Sequence, residues 1–175
     1  MKLLRLSALP LALALLTGCR PQAPERLNYG MGERVEVGPL TYVIVESFWR
    51  TQLGELFQIR VPQQRFLLVR LSVTNGGGSD ASVPLLQLDA PNGQSFKELE
   101  DGTGISGWLG LFRNVAPAQT QQGLIVFDVP LTSYRLRLPD ASDTGYEKYA
   151  WVEIPLRLDS DQVQSPVPGS GDLLK

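Results

Sequence analysis

Histidine is missing altogether from the 175 residues, and cysteine occurs once. Without imidazole, Ser-His-Asp and Cys-His nucleophile systems are excluded, and so are histidine-ligated zinc, copper and non-haem iron sites. A single cysteine has no partner for an intramolecular disulfide, so the fold must be held by its core. Long apolar runs are lacking too: residues 3–16, interrupted by Pro10, fall short of the roughly 20 needed to span a hydrocarbon layer. Nor does one sign of charge dominate, with 16 basic residues against 18 acidic ones. That balance leaves no electrostatic footprint for nucleic acid or for an anionic membrane surface.

What is present begins with a leader. Lys2 and Arg5 give a charged start, residues 9–16 an apolar segment, and Thr17 and Gly18 the small residues that precede a cut. Leu16-Thr17-Gly18-Cys19 resembles the lipobox of bacterial lipoproteins. That resemblance implies that Cys19 becomes the first mature residue, carries a diacylglyceryl thioether and usually an N-linked acyl chain such as palmitate, and anchors the protein in the cell envelope. Each buried methylene adds ~0.8 kcal/mol, so two or three chains hold permanently where one would not. Envelope lipoproteins retained in an inner membrane tend to carry aspartate after the cysteine. Arg20 stands there instead, which points to the outer membrane where two exist.

The expected organisation is a signal peptide over 1–18, lipidated Cys19 and a tether over 19–31, one domain over 32–158 and a disordered tail over 159–175. Pro21 and Pro24 among polar residues give the tether its linker composition. Without Lys2 and Arg5, 14 basic residues face 18 acidic ones, a net charge of −4.

Within the domain the dominant hydrophobic period is two. Residues 35–37 and 40–49 read as strands around Gly38-Pro39, the second rich in β-branched and aromatic side chains. Over 65–74, Leu67, Val69, Leu71 and Val73 share one face, and Asn75-Gly76-Gly77-Gly78 stops the strand. Residues 83–88 and 94–99 flank Asp89-Ala90-Pro91-Asn92-Gly93, whose Asn-Gly ending supplies the positive φ of a hairpin turn. In residues 122–129 both faces are apolar, so both should be covered. Tyr134, Leu136 and Leu138 alternate with arginines, and Ala150, Val152, Ile154, Leu156 and Leu158 share a face of a last strand that Pro155 confines to an edge or bulge. Seven to nine short strands separated by turns predict an all-β antiparallel sandwich, with a closed barrel as the alternative.

Met31-Gly32-Glu33, residues 66–75, the hairpin around Leu86-Gln87-Leu88-Asp89 with Phe96 beyond it, and Gln122-Gly123-Leu124-Ile125-Val126-Phe127-Asp128-Val129-Pro130 together resemble the bacterial extracellular domain of unknown function 4352. The resemblance covers roughly residues 32–158. It implies an immunoglobulin-like sandwich similar to a mycobacterial immunoprotective extracellular antigen, and carries over no catalytic residue. Ala118-Gln119 departs from the family, which often has a glycine before this strand.

Candidate chemistry is sparse. Gly102-Thr103-Gly104-Ile105-Ser106-Gly107 matches the spelling of a dinucleotide fingerprint, but no buried strand precedes it and Pro117 lies too close for a crossover helix, so a surface loop is expected. Glu98, Glu100 and Asp101 offer hard oxygens for calcium without the alternating spacing of a calcium loop. Glu46 and Glu55 could serve acid-base hydrolysis only if the fold brought them together. Trp49 and Trp151 are expected at the core or its rim. The sequence assembles no cofactor site and no catalytic set, so the expectation is a binding or protein-interaction module, not an enzyme, with an unidentified envelope partner; an envelope hydrolase using carboxylates and a calcium-dependent structural envelope protein are the alternatives. The module's candidate contact loop is Trp108, Leu109, Leu111 and Phe112: exposed, these residues would form a contact surface, since aromatic residues dominate interface anchors, whereas buried, the reading that the sandwich favours, they would only close one end of it.

Overall fold

The computed structural model describes residues 27–55, 57–140 and 149–158. The signal segment, Cys19 and the tail over 159–175 lie outside the described residues. Alternating apolar residues with turn signals produce strands: β1 (Asn28–Tyr29), β2 (Arg34–Val37), β3 (Leu40–Arg50), β4 (Phe66–Asn75), β5 (Ala81–Ser82), β6 (Gln87–Asp89), β7 (Ser95–Lys97), β8 (Asn114–Val115), β9 (Thr120–Asp128), β10 (Tyr134–Pro139) and β11 (Tyr149–Ile154). One sheet has the order β1-β11-β10-β6-β7 and the other β2-β3-β4-β9, while β5 and β8 form a separate pair. All pairings are antiparallel except β1 with β11.

The two sheets face each other across one core. Leu67, Val69, Leu71 and Val73 of β4 are 0% exposed and meet Leu88, Leu136, Leu138 and Val152 from the opposite sheet. Val129 and Tyr134 bracket the corner where the chain crosses between sheets, and the Tyr134 hydroxyl donates to the Pro130 carbonyl at 2.6 Å. This is the tyrosine corner of immunoglobulin-like sandwiches. Burial pushes that phenol up to about 12. The Asn92-Gly93 turn forms as expected, with Gly93 at φ +85° and Ala90 bonded to Gln94 at 2.8 Å.

The sandwich reaches further toward the N-terminus than composition suggests. Asn28 and Tyr29, assigned to the tether, pair with Trp151 and Val152, and Met31 packs against the core. At the other end the last strand stops at Ile154. Pro155 has no N–H to continue the ladder, so Leu156 and Leu158 stand 42% and 64% exposed instead of sharing its buried face. Asn75 ends β4 by folding its amide inward: Nδ2 donates to Ser79 and Val115 carbonyls and Oδ1 accepts from Gly77 N–H. Beside it Ala118 adopts φ +59°, the left-handed turn that a glycine takes without steric cost.

Candidate interaction surface

β9 is the outermost strand of its sheet, and residues 98–113 close that edge. Leu99 N–H donates to the Val126 carbonyl at 2.8 Å, Leu109 N–H to Leu124 at 2.9 Å, and Leu124 N–H to Gly107 at 2.8 Å. An unpaired edge would invite another strand, so the loop protects the sheet. Its glycine density has a packing cause: a Cβ on Gly102 would lie 1.9 Å from the Trp108 ring, and one on Gly123 3.0 Å from Leu109 Cα.

The four candidate contact residues therefore divide. Trp108 lies against Gly102 beside Leu124, with its indole N–H buried and unpartnered, and Leu109 packs on the main core. These two are structural. Leu111 and Phe112 point outward, 40% and 98% exposed.

Immediately after Phe112 comes a residue to which sequence reasoning gave no role. Arg113 is buried, and its guanidinium clasps the equally buried carboxylate of Glu98 with both Nη atoms, one contact measuring 3.0 Å. The Glu98 carboxylate also accepts from Leu86 N–H at 3.2 Å, and Arg113 Nε donates to the Gly110 carbonyl. Burial pushes the Glu98 carboxyl up, against the pull of Arg113 and Leu86. The pair pins both ends of the loop.

A second apolar cluster covers the outer face of the same sheet. Phe66, Leu68, Leu124 and Val126 are capped by Leu53, with Phe48, Leu99 and Ile105 around them, which explains why both faces of β9 are apolar. Leu53 arrives on residues 51–65, where Leu53 and Arg60 exchange backbone bonds of 2.9 and 2.8 Å in a small hairpin. Phe57 near its tip is 99% exposed. The turn leans on the neighbouring loop through Gly54 N–H to the Gly104 carbonyl at 3.3 Å.

The carboxylates singled out as chemical candidates go to separate tasks. Glu46 binds Arg70 Nε at 2.6 Å on the sheet, whereas Glu55 lies on the hairpin. Glu98 is committed to Arg113, and Asp101 caps Thr103 N–H at 2.8 Å and pairs with Arg60 at 3.3 Å. Among the described residues no three His, Cys, Asp or Glu side chains gather as metal ligands.

The best-organised polar cluster is on the other sheet. Asp89, read from sequence only as the start of a turn, accepts Ser95 Oγ at 2.7 Å, Trp151 Nε1 at 2.9 Å and two Arg137 nitrogens at 2.8 and 3.1 Å. Burial alone would raise its carboxyl, but hydrogen bonds from Ser95, Trp151 and Arg137 prevail and hold it below the usual carboxylate value. Arg135 and Arg137 lie 5.2 and 5.3 Å over the rings of Trp151 and Tyr149. Trp151 thus holds an outer sheet face, and Trp49 the core rim 6.4 Å from Tyr134.

A family model, Domain of unknown function (DUF4352), matches residues 29–150. The chain belongs to the DUF4352 family. No curated protein matches it. The yjhA protein of Bacillus subtilis superposes with a TM-score of 0.56 at 13% identity, covering 72% of this chain and 98% of its own. The candidate lipoprotein ycdA of Bacillus subtilis gives 0.53 at 16% identity, covering 70% of this chain and 38% of its own, so this DUF4352 chain spans well under half of that protein. A looser match is MPT63, a secreted protein of Mycobacterium tuberculosis, at 0.45 and 12% identity over 76% and 99% of the two chains. At such identities yjhA and ycdA support the sandwich fold of the DUF4352 domain and nothing finer.

Proposed function

We propose that this DUF4352 domain is a lipid-anchored, extracytoplasmic binding module of the bacterial cell envelope, acting through an exposed loop and not as an enzyme. The leader ending at Cys19 supports the anchor, and a structural neighbour described as a candidate lipoprotein accords with it. Arg20 in place of aspartate favours the outer membrane where two exist.

One observation carries the binding reading: Phe112 is 98% exposed while the next side chain, Arg113, is buried and locked on Glu98. A phenylalanine held out in water on an immobilised backbone is pre-organised for contact, because little loop entropy remains to be lost on binding. Leu111 extends the surface.

The test uses a photo-crosslinking phenylalanine analogue at position 112 in host cells, with exposed Glu36 as control position. An envelope protein captured at 112 alone, whose affinity falls by about 2 kcal/mol in Phe112→Ala at unchanged unfolding midpoint, supports the reading. Equal capture at both positions, or unchanged affinity, refutes it. Cys19→Ala should release the protein or leave it uncleaved; a cleaved variant still tightly held in membranes would overturn the anchor.

A further inference from the structure

Asparagine followed by glycine occurs twice, at Asn75-Gly76 and Asn92-Gly93, and the fold treats the two pairs oppositely. Glycine has no side chain to keep its backbone nitrogen away from the preceding amide carbon, which makes such a pair chemically labile. Asn75 is 0% exposed, with Nδ2 and Oδ1 bonded to Ser79, Val115 and Gly77, and the Gly76 N–H is donated to the Pro39 carbonyl at 2.8 Å. Neither the amide nor the nitrogen that would attack it can move without opening the end of β4. Asn92 instead stands exposed on the turn between β6 and β7. Among the described residues its side-chain amide bonds only to Gln94, Oδ1 accepting that N–H at 3.0 Å and Nδ2 donating to Oε1 at 2.9 Å. The Gly93 N–H is tied within the same turn, to the Ala90 carbonyl at 3.0 Å.

We propose that Asn92 is a self-modification site, at which the folded protein converts asparagine to aspartate and isoaspartate through a cyclic imide while Asn75 is preserved. The Gly93 nitrogen gives its proton to hydroxide and bonds to Asn92 Cγ. The Cγ–Nδ2 bond then breaks, and Nδ2 leaves as ammonia with a proton taken from water. Water opens the imide in one of two ways: addition at Cγ restores the main chain with aspartate, and addition at the main-chain carbonyl carbon leaves the chain running through Cβ and Cγ as isoaspartate. In sum, an amide and water become an acid and ammonia. The Gln94 N–H favours the first step, because it already points at the oxygen on which negative charge collects as Cγ turns tetrahedral. The Gly93 bond to Ala90 has to break first, so the reaction waits on local opening of a hairpin tip and not on unfolding.

Asp101-Gly102 shows why the side-chain amide matters. Asp101 accepts the Thr103 N–H at 2.8 Å in the same local arrangement, but hydrogen bonds from Thr103 and the charge of Arg60 hold its carboxyl below the usual value, and an ionised carboxylate resists a nucleophile. At position 92 the product matters to its surroundings. Pro91 and Gly93 line a hollow of about 330 Å³ that Arg135 and Glu153 also line, so conversion adds a negative charge on a turn bounding that hollow. Aspartate can still accept the Gln94 N–H, whereas isoaspartate lengthens the backbone of the turn.

The experiment holds the full chain, extracted from host membranes in detergent, in mildly alkaline buffer. Trypsin digestion then follows in heavy-oxygen water, which marks any conversion that arises during work-up. Residues 71–97 form one tryptic peptide carrying both pairs, so fragment ions compare the two sites in the same spectrum. Conversion at position 92 at least tenfold faster than at position 75, at a rate that rises with pH, supports the site, provided that both positions convert at comparable rates once urea has unfolded the chain. Asn92 left intact in the folded chain under buffer conditions that convert it in urea overturns the proposal. Equal conversion at the two positions in the folded chain overturns it as well, since burial would then give Asn75 no protection.

Discussion

Replacing Arg113 with methionine strands a carboxylate. Glu98 and Arg113 both have side chains 0% exposed, so water cannot replace the lost partner. Removing one member of a buried ion pair costs about 3 to 5 kcal/mol, chiefly because the other charge is left without compensation. Glu98→Met should cost a similar amount, leaving the guanidinium with only the Gly110 carbonyl. The double variant should cost far less than the two singles together. Both charges are then gone, and the remaining penalty is the unpaired Leu86 N–H and Gly110 carbonyl, about 1 to 3 kcal/mol each. With a urea m-value of about 1.5 kcal/mol per molar, each single shifts the midpoint down by about 2 to 3 M, while a coupling energy of about 2 kcal/mol or more separates the double from additivity. Single costs under about 1 kcal/mol, or strict additivity, would show that the pair is not the latch of residues 98–113.

Trp108→Ala should destabilise the fold by about 3 kcal/mol in urea titration and leave partner affinity per folded molecule unchanged, because the indole packs over Gly102 with its N–H buried. Ala118→Gly should stabilise by up to about 1.6 kcal/mol: relief of a left-handed alanine is worth about 1 to 2 and is offset by about 0.4 to 1 from the freer unfolded chain. Asp89 has its carboxyl lowered in the fold despite burial, so its stabilising contribution is complete above about pH 4 and is lost as pH falls through the depressed value. Thermal midpoints measured toward acid should fall less steeply in Asp89→Asn than in the parent.

Alternation along β3, β4, β9 and β10 was legible because a half-buried strand writes its inner face into every second residue. The Asn92-Gly93 turn was legible because few residues take its φ. The apolar second face of β9 announced a cover without naming it. Leu53, Leu99 and Ile105 supply that cover from two segments far apart in sequence, and no local period relates them. The candidate contact loop shows the same limit: Trp108, Leu109, Leu111 and Phe112 are alike in composition, yet hydrogen bonding to the β9 edge turns the first two inward and leaves the last two outside.

By itself the sequence determined the histidine-dependent chemistry that is impossible here and an all-β architecture of alternating strands, since each depends on residue identity or on neighbours within a few positions. Only the tertiary structure decided that Arg113 is buried on Glu98, that Asp89 orders Trp151 and Arg137, and that Phe57 and Phe112 face solvent. Whether a charge is paired or an aromatic ring is covered depends on contacts between residues distant in the chain, and these exist only once the two sheets and their covering loops have packed.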